Sequence, residues 1–206
     1  MQRRTRWIVG GIGWVAVAVV GVALAIGARS ASGGRDDELA VRMPIAPFEL
    51  TDQDGHSFGR EQLHGKVWVA SFAFTSCVSI CPMLTSQMAN LQRRLAGLGD
   101  RVHFVTITVD PENDTPERLR EYAERHHADL SRWSFLTGSP DQVRATLQRV
   151  FFVAVGDRRE VEGGYDILHT GQLMLVDREG QMRGLYPTDA ESLAQLERDI
   201  ARLLAE

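Results

Sequence analysis

The sequence predicts an α/β sandwich, a central sheet with helices on both faces, and three observations carry that expectation. Short apolar runs of strand length alternate with segments whose apolar residues recur at helical spacing. A turn-linked hairpin and a last helix close the chain. The 206 residues, 44% hydrophobic and 24% charged, are enough for one good-sized core.

The first segment stands apart from that pattern. Residues 1–6 carry Arg3, Arg4 and Arg6, and residues 7–28 contain no charged side chain. As a helix, that apolar run would reach about 33 Å and cross a hydrocarbon layer of about 30 Å. It reads as a single transmembrane anchor with its basic flank cytoplasmic and all that follows on the opposite side, the periplasm or exterior of a bacterial cell. A cleaved signal peptide is the alternative, since Ala23-Leu24-Ala25 resembles a small-residue cleavage site. Residues 29–45, small, polar and charged, suit a solvated linker. Residues 46–206 are then the folded domain.

Within the domain, Phe48 to Leu50 and His56 to Phe58 flank Asp54-Gly55, a turn dipeptide, and read as a small opening hairpin. Val67 to Phe74 is an apolar strand. After the cysteine segment, Leu84, Met88, Leu91, Leu95 and Leu98 mark a helix over 83–98, with Pro82 where a first-turn proline is tolerated. Val102 to Val109 is a second buried strand. Asp114-Thr115-Pro116-Glu117 supplies an N-cap candidate, a first-turn proline and an acid, so 115–127 is expected to be helical. Trp133 to Leu136 reads as strand, Ser139-Pro140 opens a helix to about Val150, and Gln172 to Val176 turns through Asp177-Arg178-Glu179-Gly180 into Met182 to Tyr186. A final helix runs from about Asp189 to Leu204.

Charge narrows the function. The formal net charge is -4, and without the three N-terminal arginines the rest of the chain carries 20 basic against 27 acidic residues. A nucleic-acid partner is excluded on that balance, because phosphate binding needs a basic surface.

The chemistry centres on the two cysteines, four apart in Cys77-Val78-Ser79-Ile80-Cys81-Pro82 between a buried strand and a helix. Two thiols so placed can form a disulfide or share a soft metal ion, and a helix N-terminus lowers thiol pKa, which favours both. A structural disulfide is the bland reading for an exported protein, although so short a loop staples little. A metal would need a third ligand. His126 and His127 end an exposed helix, His56 and His64 lie in early loops, and His103 opens a strand, none with a motif around it. His169 stands in Asp166-Ile167-Leu168-His169-Thr170-Gly171 just before the last hairpin, and spacing alone does not bring it to the cysteines. Met88 and Met174 fit core packing, and Met83 lies close enough to Cys81 to touch a site there.

Three motifs in order resemble the Sco (SenC-type) copper chaperone family. They are Thr75-x-Cys77-x-x-x-Cys81-Pro82, Asp110-Pro111-x-x-Asp114-Thr115-Pro116, and His169 ahead of Leu175-Val176-Asp177-x-x-Gly180. The resemblance spans about residues 45–204. It implies a thioredoxin-like three-layer sandwich in which His169 joins Cys77 and Cys81 around one copper ion, Cu(I) or, with a fourth ligand, Cu(II). It also implies delivery to the subunit of cytochrome c oxidase that carries the dinuclear copper centre, with loading by a periplasmic copper donor. Asp110 is the candidate nearby acid, with three roles open: ligand, a group that orients His169, or a strand-end residue only. The chain departs from the family pattern at Val78 and Ser79, where Pro and Asp are common, and at Leu168, where an acid is common.

The rival expectation is an extracytoplasmic thiol-disulfide oxidoreductase in which Cys77 and Cys81 are the redox-active pair. The spacing is one residue longer than the Cys-x-x-Cys of thioredoxin-type reductases, and the peroxiredoxin pattern Pro-x-x-x-Thr-x-x-Cys surrounds neither cysteine.

Overall fold

The computed structural model describes residues 41–206. The expected anchor over 7–28 and most of the expected linker lie outside the described residues, and among the described residues no helix is long and apolar enough to cross a membrane.

Among the described residues, ten strands and five α-helices follow in chain order. β1 (Met43–Pro44), β2 (Glu49–Thr51) and β3 (Ser57–Gly59) lead into the single-turn α1 (Arg60–Leu63). β4 (Val67–Ala73) is followed by α2 (Cys81–Arg94), a 3-10 turn at Ala96–Arg101 and β5 (Val102–Thr108). Next come α3 (Pro116–Arg125), β6 (Trp133–Leu136), α4 (Pro140–Arg149), β7 (Arg158–Val161) and β8 (Gly164–Ile167). β9 (Leu173–Val176), β10 (Gln181–Tyr186) and α5 (Ala190–Ala205) complete the fold.

Six strands form the central sheet in the order β1-β10-β9-β4-β5-β6. β4, β5 and β6 are parallel, joined by helical crossovers, and β9 adds antiparallel to β4. All seven residues of β4 and of β5 are buried, as strands covered on both faces must be. Trp68, Ala70 and Phe72 share one apolar cluster with Val105, Ile107, Leu136, Met174 and Val176, and Val143 and Leu147 of α4 close that face. Alternate residues point the other way. There Ser71 bonds Thr106 (2.8 Å), Tyr122 of α3 packs against Phe135 (6.3 Å), and Tyr186 donates to Asp199 of α5. Helices therefore lie on both faces, the thioredoxin-like α/β arrangement expected.

Several elements depart from the expected boundaries for local reasons. α2 begins at Cys81 itself and stops at Arg94, and Gly99, at φ +60, sits in the tighter turn that follows. Thr115 is the N-cap of α3, accepting from the Arg118 N–H, and Pro116 fills the first turn. Sheet pairing starts within the expected linker: Met43 pairs with Met182, and Ile45, fully buried, donates its N–H to Gly180 O (2.9 Å). The β7–β8 hairpin was not expected at all. At the far edge of the sheet, Gln53 Oε1 accepts the N–H of Phe135 (2.9 Å), and Thr51 exchanges backbone hydrogen bonds with Thr137 (2.7 and 2.8 Å).

Candidate metal centre

The cysteine turn leaves the end of β4 and closes onto the N-terminus of α2. Helix N-termini expose N–H groups that have no partner within the helix, and α2 has no side-chain oxygen at its cap. Sulfur takes that place: the Cys81 N–H donates to Cys77 Sγ at 3.4 Å, and Ser79 Oγ lies 3.4 Å from the same sulfur. Both cysteines are free thiols, Cys77 7% exposed and Cys81 fully buried.

The two thiols are electrostatically unequal. The hydrogen bond from the Cys81 thiol holds Cys77 down at about 5 against the opposing effect of burial, with Ser79 helping. The same hydrogen bond, with burial added, pushes Cys81 far up. At neutral pH the pair is thus one thiolate, on Cys77, and one thiol, on Cys81.

His169 reaches the turn from 88 positions away, on the segment leaving β8. Its Nδ1 lies 2.7 Å from Ile167 O, a group that can only accept, so Nδ1 is the donor and, in the neutral ring, Nε2 is the nitrogen with the lone pair. That Nε2 stands 3.8 Å from Cys81 Sγ. Two ligands bonded at about 2.0–2.3 Å to one shared ion lie about this far apart. The ring packs against Phe74 (6.0 Å, 73°). Gly171 lies against the cysteine turn, where a Cβ would stand 2.9 Å from Ile80 Cδ1 and that side-chain end would have to shift.

The ligand atoms of Cys77, Cys81 and His169 do not all lie within 4.8 Å of one another. Among the described residues, the group of three His, Cys or acidic side chains whose ligand atoms all lie within 4.8 Å is Asp52, Asp54 and His56, not the cysteine-histidine set. That acidic group serves a turn: Asp52 Oδ1 accepts from the Asp54 and His56 N–H groups, and Asp54 pairs with Arg120.

Asp110, buried at the end of β5, accepts the Tyr165 O–H on Oδ2 and Asn113 Nδ2 on both oxygens (3.0 Å). Among the described residues no hydrogen bond joins it to His169, whose orienting partner is the Ile167 carbonyl. Asp114 contributes what the sequence reading missed. Fully buried, it accepts from Thr75 N–H (3.1 Å), Thr75 Oγ1 (2.5 Å) and Thr108 Oγ1 (2.5 Å), clamping the start of the cysteine turn to the end of β5. The presence of Thr75 and Asp114 in two of the three motifs was the available signal. Burial pushes the Asp114 carboxyl up, against its three donors.

Two of the other histidines have partners away from the cysteines. His103 is buried, bonded to Ser134 Oγ (3.0 Å), and held down at about 4 by burial; His126 packs on the Tyr122 ring (4.4 Å). Met88 and Met174 lie in the core, whereas Met83 is exposed. With Val78, Ile80 and Leu168 it leaves a rim of exposed apolar side chains on the segments that carry the three candidate ligands.

Fold and site together define a thioredoxin-like domain with a paired-thiol, single-imidazole centre at a strand-to-helix corner, a donor set suited to a soft metal ion or to dithiol chemistry. The chain belongs to the SCO1/SenC family, whose model matches residues 38–205. It is similar to a SCO1/SenC family lipoprotein from Bacillus anthracis str. Ames (34% identity, 80% of this chain and 96% of that one, TM-score 0.70). It is also similar to copper-bound ScoI from Bradyrhizobium japonicum (28% identity, 75% and 98%, TM-score 0.65). A third similar structure is BsSco, a member of the Sco family of cytochrome c oxidase assembly proteins in which a disulfide switch has been identified (29% identity, 79% and 94%, TM-score 0.67).

Proposed function

We propose that this protein is a membrane-tethered copper metallochaperone that carries one copper ion, as cargo, on Cys77, Cys81 and His169 and delivers it to the dinuclear copper centre of cytochrome c oxidase. The observation that carries this reading is the His169 Nε2, 3.8 Å from a cysteine sulfur while Nδ1 is turned to the Ile167 carbonyl. Two sulfurs and one imidazole suit Cu(I), and a fourth ligand would extend the set to Cu(II). Because Cys77 is already ionised at neutral pH, only Cys81 must release a proton when copper binds. The copper-bound ScoI supports the cargo and the family's place in oxidase assembly supports the client. Ligand exchange with the client's own copper ligands would move the ion without changing its charge.

In this reading residues 7–28 anchor the chain in the inner membrane, 29–45 tether it, and 46–206 face the periplasm or exterior, where a copper donor loads the site. The test is Cu(I) titration of the reduced chain against a competing chelator, beside Cys77→Ala and His169→Ala. One-to-one binding that both substitutions weaken strongly is expected. Binding indifferent to His169→Ala would sink the ligand assignment.

One observation favours a second reading, the thiol-disulfide oxidoreductase. The low Cys77 and high Cys81 thiols are unequal, as attacking and resolving sulfurs are. Cys77 thiolate would attack a client disulfide, giving a mixed disulfide and one client thiolate. Cys81, passing its proton to that thiolate, would then attack Cys77 Sγ, release the second client sulfur and leave a Cys77–Cys81 disulfide for an external dithiol to reduce. Such turnover with metal absent and with His169→Ala tolerated would put this reading first.

A further inference from the structure

The β7–β8 hairpin is a two-stranded sheet of its own, with no strand pairing to the central six. All four residues of β7 are exposed, so β8 supplies the attachment to the body of the domain. Much of that attachment is concentrated on Tyr165. Its backbone bridges to Cys77, and its O–H donates to Asp110 Oδ2. Its ring stacks on Phe74 (5.5 Å, 23°), the same ring that packs against His169. The Arg158 guanidinium covers the Tyr165 ring, 3.6 Å from its centroid.

We propose that Tyr165 is a positioning residue for His169, docking the hairpin on the cysteine turn so that the imidazole reaches the two sulfurs. The inference rests on the three-ligand reading above. Asp110 is a ready acceptor, because Asn113 holds both of its oxygens whether or not the phenol is there. Ile167, whose carbonyl orients His169, lies two residues beyond Tyr165 in the same strand. Docking the phenol and aiming the imidazole are therefore one event: a hairpin released from Asp110 carries the Ile167 carbonyl and His169 away together. The role of Asp110 in the site follows from this. It acts on the hairpin through Tyr165.

The test uses the full-length reduced chain in detergent, unchanged and as Tyr165→Phe, His169→Ala and the double variant. Tyr165→Phe keeps the ring and removes only the O–H. In competitive Cu(I) titrations it is expected to weaken binding about tenfold, the scale of one hydrogen bond to a charged group, and to have no further effect once His169 is Ala. In the metal-free protein, amide exchange over residues 164–169 should quicken about tenfold while β4 and β5 keep their protection. Equal losses of Cu(I) affinity in both backgrounds, with faster exchange in β4 and β5, would show a general structural role and overturn the proposal. Unchanged exchange over 164–169 would overturn it as well. If His169→Ala alone leaves Cu(I) binding intact, the three-ligand reading fails and the proposal falls with it; the exchange data separate that failure from a failure of docking.

Discussion

The imidazole Nε2 of His169 lies 3.8 Å from the sulfur of Cys81, and the other ring nitrogen, Nδ1, is the one that donates to the Ile167 carbonyl. A metal that enters between them meets a neutral ring already in the correct tautomer, and a thiol pair in which Cys77 holds its proton less tightly than Cys81. The state of the thiol pair is therefore the first quantity to measure.

Ultraviolet thiolate absorbance of the reduced, metal-free chain should show one thiolate appearing with a midpoint near pH 5 and no second one below pH 9. Cys77→Ser abolishes that step, and Ser79→Ala moves its midpoint upward by removing a hydrogen bond to the thiolate. Stability follows with a definite sign. A Cys77 thiol in the unfolded chain titrates near 9.0, so between pH 5 and 9 the unfolded state binds more protons and stability rises with pH. It is lost as pH falls through 5. A single titration step near pH 9 would show that the two thiols are not coupled.

Leu168 is 69% exposed beside His169, and an acid introduced there puts a negative charge near the bound ion without touching a ligand. At about 7 Å and a dielectric near that of water, the attraction is under about 1 kcal/mol. Leu168→Asp should therefore tighten Cu(I) binding by a few-fold at low salt, and the gain should shrink in high salt. Competitive titration at two ionic strengths reads both. A gain insensitive to salt would mean that the substitution acts through packing.

Asp114→Ala removes one acceptor for three buried donors, the N–H and hydroxyl of Thr75 and the hydroxyl of Thr108. Stranding them should cost on the order of 2–4 kcal/mol in urea unfolding, with Cu(I) affinity falling too as the cysteine turn loosens. Retention of wild-type stability would mean that water replaces the carboxylate.

Much of this was legible in the sequence. Val67 to Phe74 and Val102 to Val109 were plain as buried strands because an apolar run of that length needs cover on both faces. Two cysteines at a strand-to-helix corner announced a site from spacing alone. His169 did not; only its place among three motifs singled it out, since contact across 88 positions is a property of the tertiary fold. The β7–β8 hairpin escaped notice because Arg158-Arg159-Glu160 shows no apolar alternation, and a ribbon that buries only Tyr165 and Ile167 need show none. Asp114 looked like helix-start chemistry, but Thr115 performs that task and frees Asp114 for the clamp. Which of two adjacent polar residues caps a helix depends on backbone direction, to which composition is blind.

The outer edge of β6 bears on how this protein meets others. An unpaired parallel strand invites another chain to extend the sheet, yet here the Gln53 side chain occupies the Phe135 N–H and Thr51 occupies both backbone groups of Thr137. Two copies that collide along this edge find the hydrogen bonds of the Phe135 N–H and of Thr137 already taken. Extension of the sheet by a second copy is thereby disfavoured at these two residues.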